Sequence, residues 1–152
     1  MTTYGELAHI LRTQDGVIHG VGVSEAEVSD AESAVGAFPS GYRQFLMEFG
    51  WVNFAFYQFW GLGADRPYPT LGVVPQTLRE RELADLPDTM IAFYNNGGGD
   101  LACVRRADVG PPEDDAVYWH WHETRTIERA SPSFPDFLAE RLASAAERNE
   151  LS

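Results

Sequence analysis

The residues best suited to chemistry are His120 and His122, which bracket Trp121. Side chains two apart on a strand point the same way, so two imidazoles on one face can ligate a metal. Asp100, Cys103 or Glu123 would have to supply a third ligand, and no spacing fixes which one. The pattern is therefore expected to be structural. Val117, Trp119 and Trp121 face the core, His120 and His122 lie on the outer face, and neither metal nor cofactor is bound. Cys103 stands among apolar residues and reads as a small buried hydrophobe; a nucleophile needs a nearby base and an electropositive setting. Asn95-Asn96-Gly97-Gly98-Gly99-Asp100 is not a phosphate loop, because it lies between two expected strands and the chain has no lysine. No nucleophile-elbow serine, HExxH or paired-cysteine metal knuckle occurs. No catalytic residue is assigned. A small metal-dependent enzyme built on His120 and His122 stays as a competing reading.

The elements that must position these residues are legible in part. Tyr4, Leu7, Ala8 and Leu11 have helical spacing, and Asp15-Gly16 ends that helix. Ser24 with Glu27 has capping-box spacing before a second helix with Val28, Ala31 and Val35 on one face. Tyr42, Phe45, Leu46 and Phe49 define a third helix after Pro39-Ser40, stopped at Gly50. Trp51 through Trp60 is aromatic on both faces and predicts a buried strand or hairpin. Trp51 and Trp60 adjoin glycines where the chain turns, so their rings are expected to be partly exposed partner anchors. A short helix is expected near Gln76–Leu83. Strands are expected at Met90–Tyr94, Leu101–Val104, Ala116–Glu123 and Thr126–Arg129, with a turn at Asn95–Asp100. A last helix after Ser133 carries Phe134, Phe137, Leu138, Leu142 and Ala145 on one face. Helices, then strands, then a helix predict an α+β fold, with a central antiparallel sheet covered by helices mainly on one side.

The charge excludes several classes of function. Asp and Glu number 23 against 11 basic residues, all arginine, giving −12 in a chain of 152 residues. Such a chain repels phosphate backbones and anionic lipid, so neither nucleic acid nor a membrane is an expected partner. No apolar run approaches the ~18 residues of a spanning helix. The opening Met-Thr-Thr-Tyr-Gly-Glu lacks the basic and apolar regions of a leader, and the single cysteine suits a reducing compartment. A cytoplasmic protein with one domain over residues 1–152 is expected.

Several of these segments together resemble one family. Pro39-Ser40-Gly41-Tyr42-Arg43-Gln44-Phe45-Leu46, closed by Gly50, is similar to the proline-led helix of the SUKH superfamily, which includes the yeast SMI/KNR cell-wall assembly regulators. Gly61-Leu62 resembles its aromatic-Gly-Leu strand end. Gly97-Gly98-Gly99-Asp100 resembles its glycine turn, and Ala116-Val117-Tyr118 its Val-aromatic strand. Ser133-Phe134-Pro135-Asp136-Phe137-Leu138 resembles its closing helix. Order and spacing agree over about residues 24–142.

The resemblance implies a non-enzymatic interaction domain. In bacteria it implies an immunity protein against a cognate toxin, often a nuclease; in fungi, a regulator of wall synthesis. A basic toxin would fit the acidity of this chain. Residues 1–50 and 111–152 each carry a net −5 and residues 51–110 carry −2. The expected contacts are therefore Glu113, Asp114, Asp115 and Glu123, displayed where a nuclease would hold phosphates, with Asp100 nearby in a structural role.

Overall fold

The computed structural model describes residues 1–65, 72–111 and 114–151. The first helix, α1 (Tyr4–Thr13), buries Leu7, Ala8 and Leu11. Thr3 and Glu6 close it with a reciprocal capping box. A short strand, β1 (Val17–His19), follows it. Ser24 caps α2 (Glu25–Val35) through the Glu27 amide at 3.2 Å. Next comes α3 (Ser40–Glu48), where Tyr42, Phe45, Leu46 and the following Phe49 are all fully buried. Gly50 ends this helix with φ +81°, a left-handed conformation that glycine adopts without strain.

The aromatic stretch is a hairpin of β2 (Val52–Phe54) and β3 (Tyr57–Phe59), turned through Ala55 and Phe56. With β1 they form one antiparallel sheet in the order β1-β2-β3. After α4 (Val73–Leu83) come β4 (Met90–Asn95), β5 (Leu101–Arg105), β6 (Val117–Trp121) and β7 (Thr126–Ser131). These four strands pair in sequence order, all antiparallel. The closing helix α5 (Phe134–Glu147) starts at Ser133, whose hydroxyl accepts the Asp136 amide. The fold is α+β, as the order of elements predicted.

A bulge between Ala92 and Tyr94 joins the two sheets. There the Phe93 carbonyl accepts the Trp60 amide at 2.7 Å. The buried Tyr42 hydroxyl donates to the Trp60 carbonyl at 2.6 Å. Around this joint Tyr42, Phe93, Phe134 and Phe137 pack ring to ring, with Phe93 5.3 Å from Phe134 and 5.6 Å from Phe137. Edge-to-face pairs of this kind add to the burial energy of each ring.

Three expectations change here. Trp51 and Trp60 are 6% and 5% exposed, so neither ring is a surface anchor. The glycines beside them let backbone segments approach closely instead of turning the rings outward. A side chain at Gly61 would collide with the Gly50 carbonyl, and one at Gly20 would strike the Trp51 ring. The second change concerns His120, which is fully buried rather than on an outer face. Leu101, Ala102, Cys103 and Val104 are all at 0% exposure, so β5 is covered on both faces and its neighbour His120 shares that cover. Trp119 and Trp121, expected in the core, are only half-buried.

Candidate functional site

The acidic segment before β6 proves to be part of the framework. Glu113 lies outside the described residues. Asp114 accepts hydrogen bonds from Arg105 at 3.1 Å, from the Tyr118 hydroxyl at 2.8 Å and from the Ala116 amide at 3.1 Å. Arg105 also lies over the Tyr118 ring, 4.7 Å from its centroid. Asp115 reaches α3, where its carboxylate accepts the Gly41 amide at 3.1 Å; its carbonyl accepts the Phe134 amide that opens α5. Burial raises the Asp115 carboxyl to about 6, against the opposing pull of the Gly41 hydrogen bond. Neither aspartate is a free carboxylate on display, since both are tied into the framework by these bonds.

Asp100 is likewise committed. Asn95 and Asn96 turn their side-chain carbonyls onto the amides of Gly97 and Gly98, at 2.7 and 2.8 Å. Asp100 then accepts both the backbone amide of His122 at 3.0 Å and its Nδ1 at 2.6 Å. These two His122 bonds hold the Asp100 carboxyl below its ordinary value. The glycine turn of β4–β5 is thereby fastened to the β6–β7 hairpin. Gly99 has φ +100°, and a side chain there would press on the His122 ring.

The two histidines therefore part company. His122 follows the end of β6 and faces Asp100, while both ring nitrogens of His120 are buried with no hydrogen-bond partner among the described residues. Desolvation holds the His120 imidazole below its ordinary pKa, and Asp100 opposes that shift. Among the described residues no three His, Cys, Asp or Glu side chains group as a metal site. Cys103 is fully buried, and desolvation pushes its thiol well above the ordinary range, opposite to what a nucleophile needs.

Of the carboxylates expected at a partner surface, Glu123 is exposed. Its side chain is 86% exposed and approaches His122 Nε2 at 4.0 Å. Phe56, at the tip of the β2–β3 hairpin, is 87% exposed. It borders a cleft of about 570 Å³ that Tyr57, Tyr94, Asn96 and Arg148 also line. On β6 the rings of Trp119 and Trp121 stack at 5.5 Å, and the Trp121 indole donates to Glu128 at 3.3 Å. Strand alternation predicts both rings in the core; Phe137 of α5 packs edge-on against Trp119 at 5.8 Å, and both indoles are only partly buried.

A family model for the SMI1/KNR4 family (SUKH-1) matches residues 22–140. The chain belongs to this family. The SUKH-1 match begins before α2 and ends within α5, so it takes in β2 to β7 and the glycine turn and leaves out α1 and β1. The SUKH-1 helix motif has a structural purpose here: Pro39 offers no side-chain cap, and Gly41 leaves room for Asp115 to supply one. No curated protein sequence matches the chain.

Proposed function

We propose that the chain is a single non-enzymatic binding domain, residues 1–152, that neutralises a cognate toxin by direct contact in the cytoplasm. Membership of the SUKH-1 family carries this reading. The net charge of −12 supports a basic partner such as a nuclease. The commitment of Asp114, Asp115 and Asp100 to internal bonds moves the contact role to carboxylates that remain exposed, Glu123 foremost.

The test is co-expression with the toxin candidate encoded beside this gene, followed by titration of the two purified proteins. Rescue of growth with a stoichiometric complex is expected. A neighbouring gene of cell-envelope synthesis, with no toxin to neutralise, would turn the reading towards a regulatory scaffold. Stoichiometric zinc lost on His120→Ala would turn it towards an enzyme.

A further inference from the structure

Three arginines in this chain sit in the same kind of site. Arg12 lies over the Phe49 ring at 5.0 Å and pairs with Glu48. Arg105 lies over Tyr118 at 4.7 Å and pairs with Asp114 at 3.1 Å. Arg141 lies over Phe137 at 4.7 Å and pairs with Glu140 at 3.6 Å. In each, an aromatic face meets the guanidinium plane and a carboxylate meets its N–H groups.

A fourth set of the same parts is present without the arginine. Phe93, Phe137, Trp119 and Trp121 form a ladder of ring contacts from core to surface, with steps of 5.6, 5.8 and 5.5 Å. Arg141 already covers Phe137, the inner ring of the pair that carries the ladder outward. Trp121, the outer ring, is partly buried, and its indole N–H holds the exposed Glu128 carboxylate at the ring edge. Glu128 stands directly across the strand pair from Trp119. Among the described residues no guanidinium lies over either indole. Arg129, next to Glu128, pairs in register with Tyr118 and so belongs to the opposite face of the sheet.

We propose that the Trp119–Trp121 stack and Glu128 form a receptor for an arginine side chain presented by the partner protein. The proposal rests on the binding-domain reading above and names its contact. Indole is the best of the aromatic faces for a cation, and a carboxylate beside it favours the planar fork of arginine over lysine. The β6–β7 hairpin carries a second exposed acid, Glu123, and of its two arginines Arg125 is paired with Asp85 and Arg129 lies on the opposite face. Rigid aromatic anchors backed by a packed core are the usual centres of protein interfaces.

The probe is a blocked Gly-Gly-Arg-Gly-Gly peptide, with lysine and citrulline counterparts. The readout is the indole N–H resonances of the four tryptophans. The arginine peptide is expected to shift Trp121 and Trp119 and to leave Trp51 and Trp60 still. Lysine should bind more weakly, and the uncharged citrulline peptide not at all. Trp121→Ala and Glu128→Gln should each weaken arginine binding by about 2- to 5-fold. Trp121→Phe, which keeps a ring, should lie between. Equal shifts from the citrulline peptide, or arginine binding that leaves both β6 indoles still, overturn the proposal. The toxin assay separates the two claims. A chain that neutralises its toxin equally well with Trp121→Ala and Glu128→Gln overturns this surface and leaves the immunity reading standing. Arginine capture at the indoles by a chain that neutralises nothing does the reverse.

Discussion

Asp115 caps a helix that begins 75 residues before it in the chain. Its carboxylate accepts the Gly41 amide at 3.1 Å, at the start of α3, where Pro39 has no side chain able to do so. A side chain at Gly41 would collide with that carboxylate. Loss of an N-cap costs about 0.5–2 kcal/mol. Asp115→Ala is expected to lower stability by that amount, and Gly41→Ala to do so despite its better helix propensity. Urea unfolding checks both. Equal or higher stability in Gly41→Ala would show that the cap contributes nothing.

Asp115 and His120 should pull the pH dependence in opposite directions. The Asp115 carboxyl titrates near about 6 in the folded chain, against about 3.9 unfolded. The folded state therefore holds the extra proton between these values. That contribution is complete below about 4 and lost as pH rises to about 6. Burial lowers the His120 pKa, so below about 6.5 the unfolded state takes up the proton more readily. Its contribution is present above that pH and lost as pH falls. Asp115→Asn is expected to make stability rise more steeply with pH between about 4 and 6. His120→Leu should make it rise less steeply below about 6.5. Urea midpoints across this range measure both, and a variant with the wild-type slope would refute its half.

The Tyr42 hydroxyl and the Trp60 carbonyl, buried together at the joint of the two sheets, give a third prediction. Tyr42→Phe keeps the ring and leaves the carbonyl without this donor. An unpaired buried acceptor costs about 1–3 kcal/mol. Leu46→Ala, in the same helix and fully buried, should cost about 2–5 kcal/mol through the cavity it leaves. Thermal and urea unfolding of the two variants check these values. A change near zero for Leu46→Ala would contradict the packing of α3.

The legible parts of the fold are those fixed by neighbours in the chain. The spacing of Tyr42, Phe45, Leu46 and Phe49 defines the face of α3, and Asn95–Asp100 carries its own turn chemistry. β1 was missed because its three residues form a strand only by pairing with β2, at Val17↔Phe54 and His19↔Val52. The candidate site was harder to read for the same reason. Asp115 looks like any surface acid until α3 is beside it. Trp121 alternates with core positions along β6, and its partial exposure depends on packing between elements distant in the chain. Ring burial at Trp51 and Trp60 depends on backbone that comes within contact distance only in the fold.

The last prediction separates acids that hold the structure from acids free to meet a partner. Asp114 bonds Arg105, Tyr118 and the Ala116 amide, so Asp114→Ala strips three donors of their acceptor at once. Glu123 has 86% of its side chain in solvent and only a 4.0 Å approach to His122. Asp114→Ala is therefore expected to lower the unfolding midpoint, whereas Glu123→Arg should leave it within about 0.5 kcal/mol of the parent. In binding the order should reverse. Exposed charges act on encounter, and salt screens them. Glu123→Arg should slow association with a basic toxin at low salt and flatten the salt dependence of the on-rate, while dissociation changes little. Stopped-flow association at low and high salt measures this. An on-rate unchanged by Glu123→Arg would remove steering by this hairpin from the mechanism.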